Sequence, residues 1–174
     1  VHSHIGIDIA APPDLVFALA RDVERWATLV PHYSRSRAIE HRPDGSLVAD
    51  FIARRPLIEV LGLGLPVTWR SRTWSEPAMR RLRFDHVAGA TRGMDVTWRI
   101  ESLASGDGCR VTIEHDFRPR LPGFAWFVDR CFTRPIAGRT LATFKALAEA
   151  VSGMDVIGAG NAIGPAATHQ DQPG

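Results

Sequence analysis

One lysine, one tyrosine and two cysteines stand among the 174 residues of this chain, and each scarcity excludes something. Cys109 and Cys131 form no CxxC pair, so neither a disulfide framework nor a zinc site of the usual spacing is expected. Two reduced thiols fit a cytoplasmic location. Lys145 aside, positive charge rests on 20 arginines scattered from Arg21 to Arg139, with a formal net charge of only +2. Without a basic block, no nucleic-acid partner is expected, and pairs such as Arg54 with Arg55 or Arg80 with Arg81 read as solvated faces. No apolar run reaches the roughly 18 to 20 residues that span a bilayer, and the start of the chain lacks a basic-then-apolar signal pattern. GxSxG, HExxH and glycine-rich phosphate loops are missing too, so the familiar hydrolase, zinc-protease and nucleotide chemistries are not indicated.

What is present is an ordinary globular balance, 45% apolar and 23% charged, in a length suited to one domain. Its organising stretch is Pro122 to Val151. Phe124, Phe127, Val128, Cys131 and Phe132 recur at spacings of three and four, and Leu141, Phe144, Leu147, Ala148 and Val151 resume that spacing beyond Pro135. This predicts one long amphipathic helix or two end to end, with a kink or a fresh start at Pro135, which has no N–H to donate. Such an apolar stripe must be covered by something upstream.

Upstream the period changes to two. Ile5, Ile7 and Ile9 alternate with polar or glycine positions, which predicts a first strand. Pro12-Pro13-Asp14 then opens a short helix, and a second helical piece covers about Val23 to Leu29. Strands follow over Tyr33–Glu40, Leu47–Ala53, Val67–Trp74, Arg80–Val87, Met94–Leu103 and Cys109–Phe117, separated by Pro, Gly, Ser or Asp at hairpin spacing. Pro56 to Pro66 reads equally as a short amphipathic helix, a strand extension or an apolar loop over a cavity mouth. The expected fold is α+β: a seven-stranded antiparallel sheet curved around the long C-terminal helix, with two short helices after strand 1. The domain is expected over residues 1–151, and the Gly, Ala and Pro-rich residues 152–174 form an expected disordered tail.

Alternation also says which residues point inward. The inward sets are Val67, Trp69, Ser71 and Thr73; Leu82, Phe84 and His86; Met94, Val96, Trp98 and Ile100; and Cys109, Val111, Ile113, His115 and Phe117. The interior is therefore aromatic yet holds two hydroxyls and two imidazoles, which need partners in protein, water or a ligand. An inward histidine reads plainly as hydrogen-bonded core, and Trp69 and Trp98 as core or as cavity wall. Two histidines without an inward carboxylate make a poor metal site, since Glu114 and Asp116 fall on the outer face. No metal and no cofactor is expected.

Asp22-Val23-Glu24-Arg25-Trp26 with Pro31 and Tyr33, then Trp69-Arg70-Ser71, Gly93-Met94-Asp95-Val96-Thr97-Trp98-Arg99 and His115-Asp116-Phe117, together resemble the START-like superfamily. The likeness covers about Ile5 to Val151 and is to its polyketide cyclase/dehydrase and coenzyme Q-binding branches. The resemblance implies a helix-grip scaffold, with a cavity between sheet and helix that in aromatase/cyclases folds a poly-β-ketone for aldol closure and dehydration. It carries pocket roles onto Trp26 and Tyr33, Ser71 and His115. The arginine of the family's Trp-x-Ser-x-Arg strand falls here on Thr73, while Arg72 lies next to it on the opposite face.

The implied function is binding of a hydrophobic aromatic or polyketide-like molecule, read either as a cyclase/dehydratase or as a non-catalytic lipid or quinone carrier. For chemistry, His115 is the expected acid or base, with Tyr33 or Ser71 donating to a carbonyl or enolate. Trp26, Trp69, Thr73, Phe84, His86, Met94, Trp98, Ile113 and Phe117 are the expected ligand-binding residues. Expected partners are the small molecule, with a polyketide synthase for the enzyme or a membrane surface for the carrier, and the chain is expected as a monomer or homodimer.

Overall fold

The computed structural model describes residues 2–58, 63–119 and 123–161. The chain runs β1 (His2–Ile9), α1 (Pro13–Arg21), a 3-10 turn (Val23–Arg25), α2 (Trp26–Leu29), β2 (Tyr33–His41), β3 (Leu47–Ile58) and β4 (Leu63–Glu76). A further 3-10 turn (Pro77–Met79) leads to β5 (Arg81–Gly89), β6 (Met94–Ser102) and β7 (Cys109–Phe117). The chain ends in α3 (Phe124–Val128), a π-turn (Asp129–Thr133) and α4 (Arg134–Asn161). The strands form one seven-stranded antiparallel sheet in the order β1-β7-β6-β5-β4-β3-β2, so the first strand closes the sheet beside the last. The expected α+β helix-grip arrangement is the one observed.

Local sequence explains each turn of this path. Pro13 starts α1, where its missing N–H costs nothing, and Asp14 sits in the positive first turn. Gly89 takes φ +92° as β5 passes close over β4, and a Cβ there would stand 2.4 Å from the Thr68 carbonyl oxygen. Pro56 to Pro66 resolves as a strand extension: β3 continues through Pro56, paired with Gly64, and β4 starts at Leu63. Residues 59–62 of that segment lie outside the described residues.

Just before Pro135 the helix changes its winding, and α4 begins at Arg134. Proline removes one N–H and its ring crowds the carbonyl four residues back. The chain answers with the wider π-turn over Asp129–Thr133, immediately before the proline, and continues as α4. The helix also runs past the expected end at Val151 to Asn161, and the remainder of the expected tail lies outside the described residues.

The core lies where the two periodicities meet. Inward residues of the sheet, among them Phe51, Leu82, Ile100, Val111 and Ile113, pack on Leu141, Phe144 and Ala148 of α4, all at most 2% exposed. Burying one such large side chain contributes about 1.5 to 3 kcal/mol before conformational entropy is charged against it. Outside, arginines pair with carboxylates one strand over: Arg70 with Asp50, Arg110 with Asp8, Arg99 with Glu114. These exposed pairs each add at most about 1 kcal/mol.

Register also fixes which end of the sheet stays open. Tyr33 pairs with Ala53, Trp69 with Gly89, Met94 with Phe117 and His2 with Asp116. The start of β2, the β3–β4 hairpin, the β5–β6 loop and the β7–α3 connection therefore gather at one end.

Candidate functional site

At that end, between the sheet and residues 132–140, lies a cavity of about 80 Å³. A single water needs about 10 to 15 Å³ on the same measure, so the space takes several waters or one small ring. The α2–β4 side supplies Trp26, Tyr33, Phe51, Val67 and Trp69; β5 to β7 supply Phe84, His86, Met94, Val96, Trp98, Ile113 and His115; the β5–β6 loop supplies Thr91. Phe132, Thr133, Ile136, Ala137 and Thr140 close it from the helix.

Trp26 is the hub of the wall. Its ring centroid lies 5.4 Å from Tyr33, 5.3 Å from Trp98, 5.7 Å from Phe84 and 5.7 Å from Phe144. Its indole N–H donates to the Ala20 carbonyl at 3.0 Å, which locks the ring without spending a group inside the cavity. Trp69 lies nearly parallel between Phe51 at 5.3 Å and His86 at 5.8 Å. Tilted and edge-on contacts of this kind add about 0.5 to 1.5 kcal/mol each beyond burial, so the wall is stiff.

The polar groups in this wall are few and unequally engaged. His86 Nδ1 stands 2.6 Å from the Thr91 hydroxyl, and burial together with nearby His115 pushes its pKa well down. Thr140 donates its hydroxyl to the Ile136 carbonyl at 2.8 Å, so at 3.0 Å it must accept from His32, which assigns the proton to His32 Nε2. Thr140 also hydrogen-bonds Tyr33, whose phenol burial holds neutral far above its ordinary range.

His115 is different: it is 6% exposed and its Nδ1 has no hydrogen-bond partner. Burial drops its pKa to about 4, against an opposing pull from the Asp129 carboxylate. The imidazole is neutral at pH 7. Asp129, in the π-turn, is held by the Ser3 hydroxyl at 2.5 Å and by Arg134 at 2.9 Å.

The structure sorts the residues expected from sequence. Trp26, Tyr33, Trp69, Phe84, His86, Met94, Trp98, Ile113 and His115 line this one cavity. Ser71, Thr73 and Phe117 do not. Ser71 points inward and is 0% exposed, but its hydroxyl donates to the Asp85 carbonyl at 3.1 Å, so it is part of the sheet. Thr73 pairs with Phe84 farther from the open end, and Phe117 packs 6.3 Å from Phe124. A bulge does occur here, but it falls on β5 at Val87 and leaves Arg72 outward beside Asp44 at 2.7 Å. No guanidinium replaces the one displaced by Thr73 among the described cavity residues.

Sequence reading missed Thr133, Ile136, Ala137 and Thr140, although their spacing of three and four continues the apolar stripe of α4. The gap left in the stripe around Pro135, between Phe132 and Leu141, hid them. Thr91 left no periodic signal, because it belongs to a loop. Asp129 was passed over because the search for a carboxylate near His115 looked along β7, where Glu114 and Asp116 are held outward by Arg99 and Arg118. Among the described residues no group of three or more His, Cys, Asp or Glu side chains could hold a metal ion. Nor, among them, is any helix long and apolar enough to cross a membrane.

A seven-stranded antiparallel sheet gripping a C-terminal helix around an aromatic hollow is the helix-grip fold. The model of the family described as polyketide cyclase / dehydrase and lipid transport matches residues 9–144, and the chain belongs to that family. A Streptomyces halstedii protein named "Putative polyketide cyclase" is 30% identical over 106 residues, 60% of this chain and 92% of that one. Among solved structures, the Zhui aromatase/cyclase from Streptomyces sp. R1128 superposes with a TM-score of 0.69 at 22% identity, covering 86% of this chain and 93% of that one. A START superfamily protein from Mycobacterium smegmatis gives 0.55 at 15% identity, covering 88% and 97%. At these identities the two structures speak for the fold. Family membership supports a cyclase-like or ligand-binding role for a hydrophobic small molecule.

Proposed function

We propose that the protein binds a polyketide-like or aromatic molecule in this cavity and promotes its aldol cyclisation and dehydration. The observation that carries the reading is His115: a neutral, unpartnered imidazole set in an aromatic wall. In such a site the indoles hold a planar, partly folded chain, and orientation alone lowers a ring-closing barrier by several kcal/mol. His115 takes a proton from a carbon flanked by two carbonyls; that carbon bonds to a distant ketone carbon, whose oxygen becomes an alkoxide and takes the proton back from His115. The attacking carbon then gives its second proton to His115, the C=C bond forms, and the hydroxyl leaves with that proton as water. Asp129 supports the imidazolium formed in the first step, since its charge is the one that favours protonation of His115. Burial opposes it, so His115 is a weak base and positioning carries most of the effect. Tyr33 shapes the wall and serves as a neutral phenol. Ser71 has no part.

A ligand of several rings exceeds the present space, and Trp69, His86 and Phe132 are the wall residues that are only half-buried. The test is turnover of a short poly-β-ketone mimic followed by product analysis. Wild type should accelerate cyclised, dehydrated product, and His115→Ala should lower that rate about 100-fold or more. An unchanged product distribution in the presence of wild-type protein removes the enzymatic reading.

A second reading, a carrier that loads at a lipid surface, is favoured by one observation. Trp126 is 64% exposed and Phe127 47%, on α3 at the cavity end, and Phe127 lies 5.8 Å from the cavity residue Phe132. The carrier predicts sedimentation with anionic liposomes that Trp126→Ala with Phe127→Ala abolishes, and ligand retention that survives His115→Ala.

A further inference from the structure

Three threonines of the C-terminal helix invite comparison. Thr140 and Thr143 both donate their hydroxyls to the carbonyl four residues back, Ile136 at 2.8 Å and Arg139 at 3.0 Å. This is the usual fate of a helical threonine. Thr133 is the exception. Its carbonyl at that spacing is Asp129, the first residue of the π-turn, and no bond to it forms. The wider turn carries the chain around one extra residue and takes the Asp129 carbonyl out of line with the Thr133 side chain. Thr133 is 9% exposed, its Oγ1 has no partner, and it lines the cavity.

Among the described residues, three buried side-chain polar atoms lack a partner: Arg99 Nε, His115 Nδ1 and Thr133 Oγ1. Two of the three belong to residues that line the cavity, one on β7 and one on the helix. A buried hydroxyl with no bond is costly, and a helix that could have satisfied it internally, as it does twice farther along, here does not.

The geometry points to Thr133 as a ligand-recognition residue, freed by the π-turn to hydrogen-bond an oxygen substituent of the bound molecule. The inference rests on the cavity being a ligand site, and it narrows the ligand to an aromatic or enolic molecule bearing hydroxyl or carbonyl groups. A bare hydrocarbon or an acyl chain would leave both atoms unpaired, whereas an enol or phenol satisfies them.

The experiment compares phenol with benzene by calorimetry on wild type, Thr133→Val and Thr133→Ser. Wild type should prefer phenol by about tenfold or more, the scale of one hydrogen bond to an otherwise unpaired buried group. Thr133→Val keeps the shape and should lose most of that preference with benzene affinity unchanged; Thr133→Ser should keep it. A second readout does not involve ligand: ligand-free Thr133→Val should melt no lower than wild type, because it removes an unsatisfied group, while Thr140→Val should melt lower. Equal preference in wild type and Thr133→Val overturns the inference and assigns the hydroxyl to water. A lowered melting point for Thr133→Val also overturns it, by showing that the hydroxyl is bonded within the protein. If wild type binds neither probe, the cavity itself is not a ligand site and the proposed function fails along with this assignment.

Discussion

His115 and Ser71 show how two inward polar residues of one sheet come to differ. Both alternate inward, and both are buried. Ser71 finds the Asp85 carbonyl within reach and is satisfied inside the sheet, whereas Nδ1 of His115 finds nothing. The residue-scale consequence is measurable: Ser71→Ala should lower stability by about 1 kcal/mol and leave turnover of the poly-β-ketone mimic within about twofold of wild type. Periodicity made the inward direction of both readable from the chain. It could not say which would be paired, because the acceptor for Ser71 is a backbone oxygen on another strand, which no side-chain pattern encodes.

At the scale of elements, the β4–β5 pair and the C-terminal helix each carry an irregularity at the open end. Gly89 permits the close crossing, so Gly89→Ala should cost about 1 to 3 kcal/mol in chemical denaturation, both from its positive φ and from collision with Thr68. Seven strands, the two short helices and the helical stripe were all legible, since each depends on local period and turn residues. The strand extension at Pro56 was open among three readings because proline and alternating leucines suit an edge, a loop or a first helical turn. The π-turn was invisible: Pro135 announces that the helix must adapt, but whether by kink, restart or a wider turn is decided by what the neighbouring side chains pack against.

For the whole molecule, three histidines set the response to acid. His32 and His115 have pKa values lowered to about 4, both chiefly by burial, and burial lowers His86 as well. A folded-state pKa below the unfolded value means that the unfolded chain binds protons first. Stability is therefore full above about pH 6.5 and falls as pH drops toward 4, by roughly 1 kcal/mol per pH unit for buried His115 and by less for half-buried His32 and His86. Urea denaturation at pH 7, 6 and 5 should show this loss, and replacing His86 or His115 with Gln should flatten it. The domain limit is a matter of the same scale. Ala148 is the last fully buried residue among the described side chains of α4, and Lys145 and Glu149 fasten that turn to the end of β1 through the Asp8 carbonyl and the Ala10 N–H. A chain ending at Gly153 should thus melt within a few degrees of the full one in calorimetry.

Three of the five tryptophans, Trp26, Trp69 and Trp98, form part of the cavity wall. The protein consequently carries its own optical reporter. Indole emission from these rings would be quenched by any conjugated guest that absorbs in the near ultraviolet, with Trp74 and Trp126 contributing a steady background. Occupancy could then be followed in unlabelled material, at the dilution and speed of a stopped-flow trace.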